Sequence, residues 1–248
     1  MSETAIRIQG IHHRYGRKAV LCGVDLEVPV GSVTVLLGTN GAGKTTLLRL
    51  ALGALRPGGG RVEVHGLDVL RHTRVVREQV GYVPDAPDAP GWMTLRDLCR
   101  FLAAHYPTWD QRHADGLAGQ LGVPTRTRLD RMSKGEGMKA MLVAALAPRP
   151  RTLLLDEPFG GLDPLARGAV LAGVFSALRD EGTTVLVSTH ELDVAARLAE
   201  RVAILAGGRI ARAGTVAEVL GQDEPARVPE ALEAALAESV AADAGGHP

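Results

Sequence analysis

The apolar positions divide the chain into short buried strands and longer helices. Val33-Thr34-Val35-Leu36-Leu37 is an apolar run of strand length, followed by glycines and then by the helical spacing of Leu47, Leu48, Leu50 and Leu52. Arg151-Thr152-Leu153-Leu154-Leu155-Asp156-Glu157 is a second run, closed by two carboxylates, and Thr184-Val185-Leu186-Val187-Ser188 is a third. A run ending in acids reads as a buried parallel strand that delivers them at its C-terminal edge, where ligands bind in open α/β sheets. Shorter strands are predicted at residues 5–7, 26–28, 61–64 and 79–83, with the polar segment 12–18 as a turn region between the first two. Two more, 201–205 and 209–213, flank the turn Ala206-Gly207-Gly208.

Helices are predicted over 71–78, from an N-cap at Thr94 through Leu95, Leu98, Phe101 and Leu102 to Tyr106-Pro107, and over 110–121, 135–147, 164–180 and 191–200. The helical stretch 94–147 is therefore an insertion between strands. Pro84-Asp85-Ala86-Pro87-Asp88-Ala89-Pro90-Gly91 is too rich in proline to be helix or central strand. Past Leu220 the composition turns acidic and Ala-rich, and Val228, Leu232, Leu236 and Val240 recur every four residues, which predicts one amphipathic helix with a frayed end from Ala244.

At 248 residues the chain is long enough for one α/β domain with a subdomain and too short for two nucleotide domains. Its 28 basic and 28 acidic side chains cancel, so no global field recommends nucleic acid or an anionic membrane as partner. Cys22 and Cys99 stand far apart without a second ligand at metal spacing, and free buried thiols in a reducing compartment are expected. No secretory leader is expected from Met1-Ser2-Glu3-Thr4, and no apolar run approaches the ~18–20 residues of a membrane span. Arg outnumbers Lys by 24 to 4, so each Lys stands out.

The candidate chemistry centres on Gly38-Thr39-Asn40-Gly41-Ala42-Gly43-Lys44-Thr45-Thr46, between strand and helix as a phosphate-binding P-loop must be. Gly38, Asn40, Gly41, Ala42 and Gly43 let successive backbone N–H groups turn inward on an anion, and the helix N-terminus at Thr46 adds positive dipole. Lys44 reaches the β/γ-phosphates and Thr45 offers a hydroxyl to Mg²⁺. Asp156 is placed to hold Mg²⁺ and Glu157 to orient or deprotonate water, their side chains parting because adjacent strand residues point to opposite sides. His190, after the third apolar run, is placed as a γ-phosphate sensor and partner of Glu157. Tyr15 either gives a nucleobase a flat face or packs half-buried.

In this order the motifs resemble the ATP-binding cassette of an ABC transporter over residues 5–220. Tyr15 matches the adenine-stacking aromatic, residues 38–45 the Walker A loop, and residues 152–157 the Walker B strand with its catalytic Glu. Gly160-Gly161-Leu162-Asp163 resembles the D-loop and Ser188-Thr189-His190 the switch-histidine loop. Met132-Ser133-Lys134-Gly135-Glu136 stands where the family signature belongs. The resemblance implies two cassettes, identical or paralogous, closing head to tail, so that Ser133, Lys134, Gly135 and Glu136 of one face ATP on the P-loop of the other and Asp163 lies nearby. It also implies a P-loop NTPase core with a mostly parallel sheet, an N-terminal antiparallel β portion and a helical subdomain at about residues 85–150, the cassette spanning 1–220 and an acidic tail 221–248.

Two motifs depart from the common pattern, the signature Leu-Ser-Gly-Gly-Gln and the usual Gln after the strand ending Gly81-Tyr82-Val83-Pro84. Lys134 replaces the first Gly and Glu136 the Gln; the Lys either points at the trans phosphate or is solvated. Asp85 replaces the Mg²⁺-touching Gln and, being shorter, acts on the ion directly or through water. With Gly91-Trp92-Met93-Thr94 and Tyr106-Pro107-Thr108-Trp109-Asp110, these features resemble a bacterial exporter-type subfamily with Ser-Lys-Gly signatures, similar to cassettes of antibiotic-responsive and acetoin-linked transport operons.

The expected function is ATP hydrolysis that powers transport, with export as the direction, in the cytoplasm at the inner face of the membrane. The permease subunits would dock near residues 85–94, with Trp92 either an interface anchor or a packing residue. Two rivals remain at this stage, a soluble ATPase acting on nucleic acid or ribosomes and a regulatory cassette with little turnover. The tail either contacts a twin subunit or regulator or is solvated.

Overall fold

The computed structural model describes residues 3–220 and 228–244. Met1 and Ser2, the tail segment 221–227 with Asp223, Glu224 and Arg227, and the frayed end at 245–248 lie outside the described residues. In chain order the elements are β1 (Thr4–Tyr15), β2 (Lys18–Pro29), β3 (Val33–Leu37), α1 (Lys44–Ala51), β4 (Gly59–Val64), β5 (Leu67–Asp68), α2 (Thr73–Gln79), β6 (Val80–Val83), α3 (Leu95–Ala103) and α4 (Gln111–Gln120). A 3₁₀ turn (Leu129–Arg131) leads to α5 (Lys134–Leu146), β7 (Thr152–Asp156), α6 (Pro164–Glu181), β8 (Thr184–Thr189), α7 (Leu192–Leu198), β9 (Arg201–Ala206), β10 (Arg209–Thr215), α8 (Val216–Leu220) and α9 (Val228–Ala244). They form two compact units, Met1–Thr73 with Leu186–Pro248, and Arg74–Val185.

The first unit holds an antiparallel sheet in the order β2-β1-β4-β5. The expected pair of short strands is instead a hairpin of two twelve-residue strands, with Tyr15 opposite Lys18 and Gly16-Arg17 as its turn. The polar stretch misled because the period of two continues through it: Ile11 and His13 are buried while His12 and Arg14 are exposed. Register shifts around Ile8–Ile11 and His13–Arg14 absorb the irregularity.

In the same unit β10-β9-β3-β8 run side by side, β3 parallel to β9 and β10 antiparallel to it. All five β3 residues are buried, as a strand covered on both faces requires. The tail helix α9 buries Leu232, Ala235 and Ser239 against α7 and β9, and Arg212 pairs with Glu238 at 2.7 Å. The four-residue stripe therefore follows the buried face only in part: Leu232 is buried but Val240 is exposed, because spacings of three and four together follow the 3.6-residue turn better than fours alone.

In the second unit β6 runs parallel to β7, from Val80 beside Thr152 to Val83 beside Leu155. α3, α4 and α5 come between these strands in the chain, and α5 is buried nearly all round, packed on α3, α4 and α6. α6 approaches α5 so closely that a Cβ on Gly173 would lie 2.8 Å from Leu142 Cδ2. Thr94 caps α3 as predicted; Asp97 completes a capping box, and the Thr94 hydroxyl, foremost, holds the Asp97 carboxyl below its usual range. α3 ends at Ala103, before Tyr106-Pro107.

Cys22 and Cys99 are free thiols, and burial pushes the Cys99 thiol up to about 11. Among the described residues no helix is long and apolar enough to cross a membrane.

Candidate functional site

In the first unit the glycine loop leaves buried β3 and enters α1 directly at Lys44, after Gly43 as the N-cap at φ 109°. Gly41, at φ 81°, is the other left-handed residue of the loop, and both turns are ones that side chains resist. Gly38 is fixed for another reason: its Cβ would stand 2.7 Å from the Leu205 carbonyl oxygen. Thr39, Asn40 and Gly41 are exposed at the tip while Lys44 is 5% exposed beneath them. Its ammonium donates to the Gly38 carbonyl at 2.6 Å and the Thr39 carbonyl at 3.2 Å.

The first turn of α1 contains no acid and carries the hydroxyls of Thr45 and Thr46. A buried cation, left-handed glycines and an acid-free helix N-terminus fit a polyphosphate.

Two further candidates belong to this unit. Tyr15, at the end of β1, is half exposed at 49% and meets the buried His13 edge to face, with ring centroids 4.8 Å apart. His13 Nδ1 lies 3.1 Å from the Arg56 carbonyl oxygen, so that nitrogen carries the proton. His190 is the first residue after β8 and is exposed; the Glu191 N–H donates to Thr189 Oγ1 at 3.0 Å and turns the chain towards α7.

In the second unit Asp156 ends β7 fully buried, and Tyr82 Oη donates to its Oδ2 at 3.4 Å. Glu157 is not a strand residue. It sits past the end of β7 at φ 45°, so a left-handed backbone and not strand alternation sets the direction of its carboxylate, which corrects the sequence-based reason. A non-glycine residue held there costs on the order of 1 kcal/mol and is found where a site needs one particular direction. The following turn closes with Gly160 N–H to the Glu157 carbonyl at 3.2 Å and Leu162 N–H to the Phe159 carbonyl at 3.2 Å. Asp163 then caps α6, its Oδ1 accepting from the N–H groups of Leu165 and Ala166 at 2.9 Å each.

Ser133 is the N-cap of α5. Its hydroxyl oxygen accepts from the Glu136 N–H at 3.2 Å, and Glu136 Oε2 accepts from the Ser133 N–H at 2.8 Å. This capping box gives Glu136 a structural task, and the exposed Ser133 hydroxyl keeps its proton for an outside acceptor. Ser-x-x-Glu was the signal for it. Gly135 is buried where a Cβ would meet Ala166 Cβ at 2.8 Å, and the Lys134 ammonium reaches the Gly160 carbonyl at 2.6 Å. Thus Ser133–Glu136 and Gly160–Asp163, distant in sequence, come together, a contact that sequence reasoning did not anticipate. Asp85 is exposed just beyond β6.

A sequence profile of the family described as ABC transporter matches residues 21–160. This chain belongs to the ABC transporter family. It is an ATP-binding cassette with ATPase activity, and it is 36% identical over 240 residues to the daunorubicin resistance ATP-binding protein DrrA3 of Streptomyces coeruleorubidus, covering 95% of this chain and 76% of that protein. The nickel import ATP-binding protein NikO of Rhodobacter capsulatus is 36% identical over 234 residues, covering 88% of this chain and 92% of NikO. Among solved structures, an ATP binding subunit of an ABC transporter superposes with a TM-score of 0.85 at 28% identity, covering 95% of the cassette and 99% of that chain. The dimeric bacterial cassette MJ0796 shares the fold, with a TM-score of 0.76 at 21% identity over 85% of this chain and 98% of its own.

Proposed function

We propose that this cassette works as one of a head-to-tail pair, with each ATP held between the P-loop of one chain and the Ser133 hydroxyl and Gly135 N–H of the other. The buried Lys44 ammonium, donating to the Gly38 and Thr39 carbonyls, carries the P-loop half of this reading, because a cation kept from water there is poised for an anion that enters the loop. Gly38, Asn40, Gly41, Ala42, Gly43 and Thr46 bind the phosphates through backbone N–H groups and the helix end, and Tyr15 stacks on the base. Glu157 orients or activates the attacking water, His190 fixes the γ-phosphate, and Ser133 and the Gly135 N–H donate to it from the second chain. Asp163 shapes that interface.

Mg²⁺, when bound, offsets phosphate charge. Thr45 and Asp156 are the residues that would hold it, with Asp85 as a further carboxylate that would act directly or through water. Thr45 of the first unit offers a hydroxyl and Asp156 of the second a buried carboxylate, each an oxygen ligand of the kind this ion accepts.

The pair drives transport through separate permease subunits, with the cassettes on the cytoplasmic face of the membrane. Export is the direction we infer, because the relative matched over 95% of the chain is named a drug-resistance protein and the Ser-Lys-Gly signature resembles an exporter-type subfamily. The permease docks on the loop Asp85–Thr94. Trp92 is 63% exposed on that loop, which favours an anchor over a packing residue. The loop is held firmly: Leu129 and Asp130 donate N–H groups to the Met93 and Gly91 carbonyls, at 2.8 and 3.0 Å, and a Cβ on Gly137 of α5 would strike Pro87 Cγ at 2.7 Å.

The test is reconstitution with the permease in vesicles. Wild type hydrolyses MgATP and transports, whereas Trp92→Ala transports at about a tenth of the wild-type rate or less and keeps its ATPase rate as an isolated cassette. Full transport by Trp92→Ala contradicts docking there.

A further inference from the structure

We propose that Lys134 is a positioning residue for the turn that carries Glu157 in its own chain, and not a ligand of the nucleotide phosphate in the facing chain. The inference rests on Glu157 acting on water, as proposed above. Its starting point is where the ammonium goes. From the first position of α5, one residue past Ser133, Lys134 Nζ donates to the Gly160 carbonyl at 2.6 Å.

That carbonyl belongs to a sharply bent segment. Glu157 at φ 45° and Gly161 at φ 68° are both left-handed, and backbone bonds from Gly160 to Glu157 and from Leu162 to Phe159 close the bend between them. Phe159, fully buried, roots the segment from below, and Asp163 ends it as the cap of α6. The outer side of the bend is held by Lys134, through a charge-assisted hydrogen bond.

The surroundings are shaped for this ammonium. A Cβ on Gly161 would stand 3.1 Å from Lys134 Nζ, so any side chain there crowds the ammonium. At Gly135 the absence of a Cβ lets α5 approach Ala166 of α6, which brings the root of the lysine near the bend. A glycine at position 134 would offer the Gly160 carbonyl no donor. The ammonium that departs from the common signature thus answers a carbonyl that a left-handed Glu157 and Gly161 turn outward.

The consequence is catalytic alignment without ligand binding. Losing the ammonium leaves Gly160 to water and lets the bend relax, which swings the Glu157 carboxylate away from its attack geometry. In the Lys134→Met variant, kcat for ATP hydrolysis falls about tenfold while KM stays within about twofold. Lys134→Arg, which keeps a cationic donor, recovers most of the rate, and the thermal midpoint of both variants stays within about 2 °C of wild type because the side chain is exposed.

Mixed pairs separate the two roles of the lysine. When Lys134→Met and Glu157→Gln sit on different chains, the one competent Glu157 lacks its lysine and turnover drops about tenfold further than in a pair of wild type with Glu157→Gln. When both substitutions share one chain, turnover equals that reference pair. The reverse pattern, a KM increase of about fivefold or more, or a wild-type kcat in Lys134→Met, overturns the proposal. A Glu157→Gln homodimer that still turns over overturns instead the reading on which it rests.

Discussion

Glu157→Gln reduces steady-state phosphate release by about 100- to 10,000-fold, the range expected when a positioned general base is lost, and leaves ATP affinity within about twofold. Gln keeps the size and one acceptor of Glu but neither the charge nor the basicity. The left-handed backbone at position 157 holds the side chain in one direction past the end of the strand, so the replacement occupies the same place without the chemistry. Single-turnover phosphate release and equilibrium nucleotide binding measure the two effects separately. A variant that retains a tenth of the wild-type rate would mean that Glu157 is not the group that activates water.

Lys44→Ala acts on the other side of the ledger, on binding. The ammonium is 5% exposed and donates to two loop carbonyls, so its removal deletes both the cation that meets phosphate and the internal tie of the loop. ATP affinity is expected to fall by about 100-fold or more, equivalent to roughly 3 kcal/mol for a charge-assisted contact to phosphate in a dry loop. Titration with a fluorescent ATP analogue, with a melting curve to confirm folding, reads this directly. Unchanged affinity in a folded Lys44→Ala protein would remove the loop from the site.

How far these roles were readable before the fold depends on how many ways a residue type can serve. A glycine loop between a buried strand and a helix admits few alternatives, and Lys44 and Thr45 follow from the chemistry of phosphate and Mg²⁺. The fully buried strands β3, β7 and β8 were legible because burial on both faces favours a nearly continuous apolar run, with the few polar residues placed mostly at the strand ends. Thr94 was legible as a cap for the same reason of narrow choice.

The rest was hidden where tertiary contact decides. The hairpin of β1 and β2 runs through His12–Arg14 because a sheet accepts polar residues on its open face and bulges absorb the irregularity, which a propensity reading cannot see. Glu157 looked like a strand residue, since nothing in Leu155-Asp156-Glu157-Pro158 states a positive φ. The destination of Lys134 depends on a carbonyl that lies 26 residues on, and Asp163 proves to be a helix cap in addition to its expected place near the nucleotide. In α9 the buried face runs through Leu232, Ala235 and Ser239, so the small Ala235 and Ser239 are buried where the four-residue spacing pointed to Leu236 and Val240.

That nucleotide is shared by two chains is tested most directly by the solution mass of Glu157→Gln in the presence and absence of ATP, measured by light scattering on an eluting column. ATP is expected to double the mass of the Glu157→Gln protein, and adding Ser133→Arg, which places a bulky cation at the exposed N-cap of α5, is expected to hold it at one chain. A Glu157→Gln protein that stays single with ATP bound, or one that pairs equally well with Ser133→Arg, contradicts a site completed by the second copy.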